Sequence, residues 1–313
     1  MRVLVTGGAG FIGSHLVDAL LGLGDEVICL DDLSTGRAEN VVQHRGDPRF
    51  EMVEADVADP FSFEVDRIYN LACPASPLHY QADPVRTTIT CFMGALNSLR
   101  LAEETGARIL QASTSEVYGD PEQHPQPESY VGHVNPIGVR SCYDEGKRVA
   151  ESLCFDFYRS RDVDLKVVRI FNTYGPRMQE DDGRVVSNFI LQALRGEPLT
   201  IYGSGSQTRS FCYVSDLVSG LLAVMEQSST PGPYNLGNTE ERTIGELVDE
   251  VAAAAGRQVT TSHLPAPSDD PRERRPDLER VSADVGWRPE VPLGEGLART
   301  CADFKRRLAA TGP

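Results

Sequence analysis

The chain has 313 residues, 40% of them hydrophobic, with a formal net charge of −16 and a pI near 4.8. That apolar fraction can bury a core, which sets disorder aside, and the excess of carboxylates argues against nucleic acid and anionic membranes as partners. Seven cysteines, an odd number without a Cys-x-x-Cys spacing, read as small buried hydrophobes of a reducing compartment, forming neither disulfides nor a metal site. No apolar run approaches a membrane span, and strand-like residues begin at Arg2, so a soluble, cytoplasmic protein without a signal peptide is expected.

Residues 2–6 are a β-branched run followed at once by Gly7-Gly8-Ala9-Gly10-Phe11-Ile12-Gly13, then by apolar residues at helical spacing: Ile12, Leu16, Ala19, Leu20 and Leu23. Strand, glycine turn and helix are the context in which these glycines signal a dinucleotide site. Gly7 serves the tight turn, Gly10 lets backbone amides reach a pyrophosphate, and Gly13 lets helix and strand pack closely. A second strand at 26–30 ends at Asp31-Asp32, and Asp31 lies 18 residues beyond Gly13. A carboxylate there binds the adenosine ribose and repels a 2′-phosphate, which favours NAD, with NADP kept open by Arg37.

Strands at 50–54 and 67–71 follow, the first leading to Asp56-Val57 at an adenine edge and the second to a rigid turn, residues 72–77. A helix at 88–104 and a fifth strand at 108–113 come next, then Thr114-Ser115-Glu116 and a Pro- and His-rich loop. The segment 141–148 places Tyr143 and Lys147 four apart, on one helix face. A tyrosine serves as a base near neutral pH only if its pKa of about 10 falls by roughly three units, and a fixed ammonium one turn away favours that. Lysine occurs only at 147, 166 and 305, so a lysine here stands out in a chain that otherwise uses arginine.

A sixth strand at 166–171 completes the pattern of a doubly wound parallel α/β (Rossmann) sheet, with ligand expected at the strands' carboxyl ends. Beyond Asn172 the rhythm changes. Helices at 184–195, 214–226, 243–255 and 293–308, short strands at 199–202 and 234–236, and a Pro-rich charged stretch at 265–275 suggest a second, smaller, interleaved domain. The expected division is residues 1–175, with a return segment at about 210–232, for the dinucleotide, and 176–209 with 233–313 for the substrate. The six histidines show no metal or catalytic spacing, and no metal site is expected.

The glycine turn, the Tyr143/Lys147 pair and the Thr114 hydroxyl resemble the extended short-chain dehydrogenase/reductases along nearly the whole chain. Residues 114–119, 132–136, 141–148, 182–189 and 202–209 and Arg274-Arg275-Pro276-Asp277 resemble the branch that decarboxylates UDP-glucuronate to UDP-xylose. The resemblance implies that bound NAD oxidises carbon 4 of the sugar, that the resulting β-keto acid loses carbon dioxide, and that the hydride then returns. Catalytic positions carried over are Tyr143, Lys147, Thr114, Ser115, Glu116 and Arg274. Tyr143 removes the hydroxyl proton and stabilises the enolate, and Lys147 lowers its pKa. Glu116 handles the proton at carbon 5, its charge beside the substrate carboxylate either favouring expulsion of neutral carbon dioxide or raising its own pKa enough for acid work; Ser115 orients the carboxylate, and Arg274 contacts it and assists reprotonation.

Cofactor positions are Gly7, Gly10, Phe11, Ile12, Gly13, Asp31, Asp32, Asp56, Val57, Leu71, Ala72, Thr90, Tyr143, Lys147, Thr173 and Arg184. Substrate positions are Pro74, Tyr80, Asn97, Asn172, Asn188, Tyr202, Arg209 and Arg274, with Arg209 at the nucleotide end. Ile89 stands where relatives carry a cation, with Arg86 as a substitute. A homodimer is implied, joined through apolar faces of the 88–104 and 143–159 helices. Three other readings stay open on this fold: a UDP-sugar 4-epimerase, a nucleotide-sugar 4,6-dehydratase, and an oxidative decarboxylase releasing the 4-keto pentose. A non-enzymatic NAD sensor would tolerate loss of Tyr143 and Lys147.

Overall fold

The structure is a computed structural model that describes residues 1–265 and 273–311. Its first half alternates strand and helix: β1 Arg2–Thr6, α1 Phe11–Gly22, β2 Glu26–Asp31, β3 Phe50–Glu54, β4 Arg67–Asn70, α2 Pro77–Ala82, α3 Pro84–Thr105, β5 Arg108–Thr114, α4 Ser141–Arg161 and β6 Leu165–Ile170. There follow β7 Thr173–Tyr174, α5 Val185–Arg195, β8 Leu199–Tyr202, β9 Thr208–Ser210, β10 Cys212–Tyr213, α6 Val214–Gln227 and β11 Tyr234–Leu236. The chain continues through β12 Glu241–Thr243, α7 Ile244–Ala255, β13 Thr261–Leu264, α8 Glu279–Val285 and α9 Leu293–Thr311.

A seven-stranded sheet in the order β11-β6-β5-β4-β1-β2-β3 runs through the molecule, parallel at every pairing. Its central strands are nearly continuous apolar runs because helices cover both faces. Successive side chains point to opposite faces, so Val3 and Val5 join one core while Leu4 joins the other with Leu99 and Phe157. The strand order reverses beside β1, which opens a crevice at the strands' carboxyl ends.

The structure corrects three details of the reading above. The sheet has seven strands, not six, because Tyr234–Leu236 pairs with β6. That segment was expected in the second domain, as was α8, which packs on α6 and β11, and Trp287, whose Nε1 donates to the Asp216 carbonyl at 3.0 Å. The 233 boundary therefore falls inside the main sheet's territory. Next, α3 starts at Pro84 instead of residue 88. Asp83 caps it by accepting from the Arg86 amide, and proline at the first helical position needs no donor. Leu23, finally, lies beyond the end of α1 and is 69% exposed, so Leu21 takes its place in the core.

The smaller lobe is built from α5, α7 and α9 with the pairs β8/β13 and β9/β12. It faces the carboxyl ends of the main strands. Part of the 265–275 stretch lies outside the described residues. Among the described residues, no helix is long and apolar enough to cross a membrane.

Candidate active site

Between sheet and lobe lies one cleft of about 1000 Å³. Every sequence-derived site residue lines it except Asn97. Asn97 instead donates to the carbonyls of Val57, Ala58 and Asp59 at 3.0–3.1 Å from a buried position, so it braces the loop beneath the cleft and does not reach a substrate.

At one end the glycine turn forms a cradle that side chains would fill. A Cβ on Gly13 would lie 2.1 Å from the Gly7 carbonyl oxygen, and one on Gly7, at φ +68°, would lie 2.9 Å from the Ala72 backbone. The backbone can therefore meet a pyrophosphate closely, and Phe11, Ile12, Leu71 and Ala72 flank it. Asp31 is buried and accepts from the amides of Ala9 and Leu33, both at 2.9 Å. Burial pushes its carboxyl pKa up, against those amides. Asp32 and Asp56 share Arg86, which is thereby committed to the adenosine end and does not replace the cation missing at Ile89. Ile89 itself is 44% exposed and outside the cleft, so no cation at this position would face the sugar. The residues fit NAD: a phosphate cradle, then a carboxylate at the end of β2, then the Tyr143/Lys147 pair.

The centre is set by α4. Tyr143 is 6% exposed and stacks on Tyr80 of α2, with ring centroids 5.1 Å apart and planes 3° from parallel. The Lys147 Nζ donates to the Ala112 carbonyl at 3.0 Å and lies 5.9 Å from the Tyr143 ring centroid. The expected fall in the tyrosine pKa is not found. Burial pushes the Tyr143 phenol well above its ordinary value, and the Cys73 thiol adds to this, while the Thr114 hydroxyl favours the phenolate. Cys73 and Cys91, both free, sit with sulfurs 3.2 Å apart beside the tyrosine.

Opposite lies Glu116, in a 3₁₀ turn over Ser115–Tyr118 that Thr114 opens by accepting from the Glu116 amide at 3.3 Å. Its two carboxylate oxygens are taken by Arg274 Nη1 and by Arg140 Nη2, the latter at 2.5 Å. Burial alone would raise the Glu116 pKa, but the two guanidiniums pull it down to about 2. Of the two expected effects of Glu116, expulsion of a neighbouring charge is the one that an ionised carboxylate serves. Arg274 is held in place through its neighbours: the Gln126 amide donates to the Arg275 carbonyl at 2.9 Å, and the Arg275 amide donates to Gln126 Oε1 at 2.8 Å. The Nη2 of Arg274 is buried and has no hydrogen-bond partner.

Arg140 and Asp144 were missed by the sequence reading. Arg140, the residue before α4, stands three residues before Tyr143 and four before Asp144, and that spacing was the available signal. The far wall of the cleft is made by Asn172, Thr173, Arg184, Asn188, Tyr202 and buried Arg209.

Comparison with known proteins fits this geometry. Residues 3–237 match the NAD dependent epimerase/dehydratase family. The chain is 55% identical over 308 residues to UDP-glucuronic acid decarboxylase 1 of Arabidopsis thaliana, covering 98% of this chain and 71% of that one. It is 54% identical over 307 residues to UDP-glucuronic acid decarboxylase 1 of Danio rerio, covering 98% and 73%. Among solved structures, a UDP-glucose 4-epimerase of Thermus thermophilus in complex with NAD superposes with a TM-score of 0.86 at 31% identity, covering 98% and 100%.

Proposed function

The chain belongs to the NAD dependent epimerase/dehydratase family, and from that premise we infer that it is an NAD-dependent enzyme converting UDP-glucuronate to UDP-xylose and carbon dioxide. The identity to decarboxylases is well above that to the epimerase, and the observation carrying the reading is the Glu116–Arg140–Arg274 cluster, which lines the same cleft as Tyr143. A 4-epimerase of a neutral hexose has no carboxylate to place there.

Gly7, Gly10, Gly13 and Asp31 would hold NAD, which would supply reversible hydride acceptance at carbon 4 of the sugar. Tyr143 would take the proton of the carbon 4 hydroxyl and return it, its burial-raised phenol brought down by the positive charge of the oxidised nicotinamide that NAD would supply, with Thr114 steadying the phenolate. Lys147, fixed on the Ala112 carbonyl, holds a positive charge behind it. Ser115 orients the substrate carboxylate, and the unpaired Nη2 of Arg274 offers it a buried donor. Loss of carbon dioxide from the β-keto acid leaves electrons that delocalise into the carbon 4 carbonyl, where the Tyr143 hydroxyl stabilises them. Glu116, held ionised by Arg140 and Arg274, repels the substrate carboxylate and so favours its departure as neutral carbon dioxide; the proton that carbon 5 then takes up would come from water, with Glu116 as the group that relays it.

Residues 1–175 with 210–232 would bind the cofactor, and the lobe formed mainly by 176–209 and 240–264 the nucleotide sugar. The active unit would be a homodimer of the cytoplasm, in keeping with seven free cysteines. The test is incubation of the purified protein with UDP-glucuronate, followed by mass spectrometry. UDP-xylose and carbon dioxide without added reductant are expected. A six-carbon product would refute the assignment in favour of an epimerase, and NADH equal to product would mean an oxidative decarboxylase.

A further inference from the structure

We propose that Glu180 is a specificity-determining residue that selects NAD over NADP by holding the Arg37 guanidinium outside the cleft. The proposal rests on the reading of the cleft as an NAD site, and it names a residue that belongs neither to the glycine turn nor to β2.

Asp31 alone leaves the choice of nucleotide open. A carboxylate at the end of β2 disfavours a 2′-phosphate, yet an arginine close by can accommodate that phosphate. Arg37 is such an arginine. A Cβ on Gly36 would lie 2.5 Å from Asp31 Oδ1, the Arg37 amide donates to the Ala9 carbonyl at 3.0 Å, and the Ala9 amide donates to Asp31 Oδ2. The backbone of Arg37 is thus fastened beside the carboxylate that would meet the ribose. Its side chain is engaged elsewhere: Nη2 stands 3.0 Å from Glu180 Oε2, and neither residue lines the cleft, whereas Thr35 and Gln179 do.

Glu180 is itself held from two sides. It lies in the segment 176–182, between β7 and α5, which joins the loop after β2 through Gln179 Nε2, a donor to the Thr35 carbonyl at 2.6 Å. On the other side Arg307 of α9 pairs with the second oxygen of Glu180 and donates to the Met178 carbonyl at 2.8 Å. The Arg177 amide donates to Asp303 of the same helix at 3.1 Å. The carboxylate that faces Arg37 is therefore set by the smaller lobe. Arg86 and Arg177, which do line the cleft, are engaged in turn, the first by Asp32 and Asp56 and the second by Asp18 at 2.7 Å. A 2′-phosphate entering here meets Asp31, Asp32 and Asp56 while the guanidinium beside them is drawn off to Glu180. The side chains of Arg37 and Glu180 are 40% and 19% exposed, so removing the carboxylate strands no buried charge and leaves Arg37 free to turn to the phosphate.

The experiment offers the full chain an equal excess of NAD and NADP, removes unbound nucleotide by gel filtration, and quantifies by chromatography what denaturation releases. The parent should retain mostly NAD. In Glu180→Gln the ratio of bound NADP to NAD should rise by roughly fivefold or more, as for one cation gained beside a phosphate, and Glu180→Ala should raise it at least as far. Arg37→Ala alone should leave the ratio at the parent's level, and combined with Glu180→Gln it should bring the ratio back to that level. A segment merely loosened by the substitution would weaken both nucleotides alike, so an unchanged ratio in both Glu180 variants overturns the proposal. A raised ratio that survives in the double variant also overturns it, since Arg37 would then not be the group released. A parent that retains neither nucleotide refutes the NAD reading, and this inference with it.

Discussion

Glu116 and Asp144 flank the same guanidinium yet are pushed in opposite directions, which shows how little residue type decides here. Glu116 makes two charge-assisted contacts and is held at about 2, below the ordinary carboxyl value of 4.5. Its stabilising contribution is therefore complete above about pH 4.5 and is lost as the pH falls through 2; the shift corresponds to about 3 kcal/mol. Asp144, raised to about 7, runs the other way and costs stability as the pH rises from its ordinary 3.8 towards 7. Glu116→Gln should consequently lower the unfolding free energy at pH 7 by about 2–4 kcal/mol, since two buried guanidiniums lose their counter-charge. The difference from the parent should narrow steadily as urea melts are repeated from pH 4.5 downwards, and a difference independent of pH would contradict the ion-pair account. Tyr143→Phe removes a group whose work is proton transfer. It should leave UDP binding within about twofold of the parent and reduce turnover by at least roughly 10²-fold, the scale of general acid–base catalysis. An unimpaired rate would show that another group takes the proton.

At the scale of elements, what could be read from sequence was whatever depends on near neighbours in the chain. The glycine turn, the end of β2 and the Tyr143/Lys147 face are short-range patterns, and each falls where it was expected. Asn97 was misassigned because its position on α3 says nothing about the carbonyls of 57–59, which reach it only through the fold. The raised phenol of Tyr143 was missed for a similar reason, since burial arises from Tyr80, Cys73 and Cys91 converging from elsewhere in the chain. Tyr234–Leu236 is too short to announce its sheet, and only pairing with β6 decides it. The glycine turn also yields a sharp expectation. A methyl on Gly13 would press to 2.1 Å from the Gly7 carbonyl, a clash no rotamer can relieve. Gly13→Ala should therefore displace α1 from β1, lower the melting temperature and abolish co-purification of NAD, measured by absorbance of the released nucleotide. Retained cofactor would mean that the turn does not hold the pyrophosphate.

For the whole molecule, the open question is what covers α3 and α4. These helices pack against each other along one face of the sheet, and their outer side carries Val85 (69% exposed), Ile89 and Phe92 at i, i+4 and i+7, with Val149 and Tyr158 beside them on α4. Exposed apolar side chains on two long helices that pack on each other suit burial in an interface. A second copy presenting the same surface about a two-fold axis would bury it in a four-helix arrangement without leaving an open, polymerising face. The position of Ile89 fits this reading: it is turned away from the cleft, so an apolar side chain costs the active site nothing and adds to that surface. Ile89→Glu with Phe92→Glu would place charges at the centre of the proposed contact, where unpaired burial costs several kcal/mol. The double variant should sediment as a species of about 34 kDa while the parent sediments at twice that mass. Because α4 also carries Tyr143, Asp144 and Lys147, with Arg140 at its N-terminal cap, the dissociated protein should lose turnover along with its partner. A parent that sediments as a monomer at micromolar concentration would remove the dimer from this account and leave this surface to be covered in some other way.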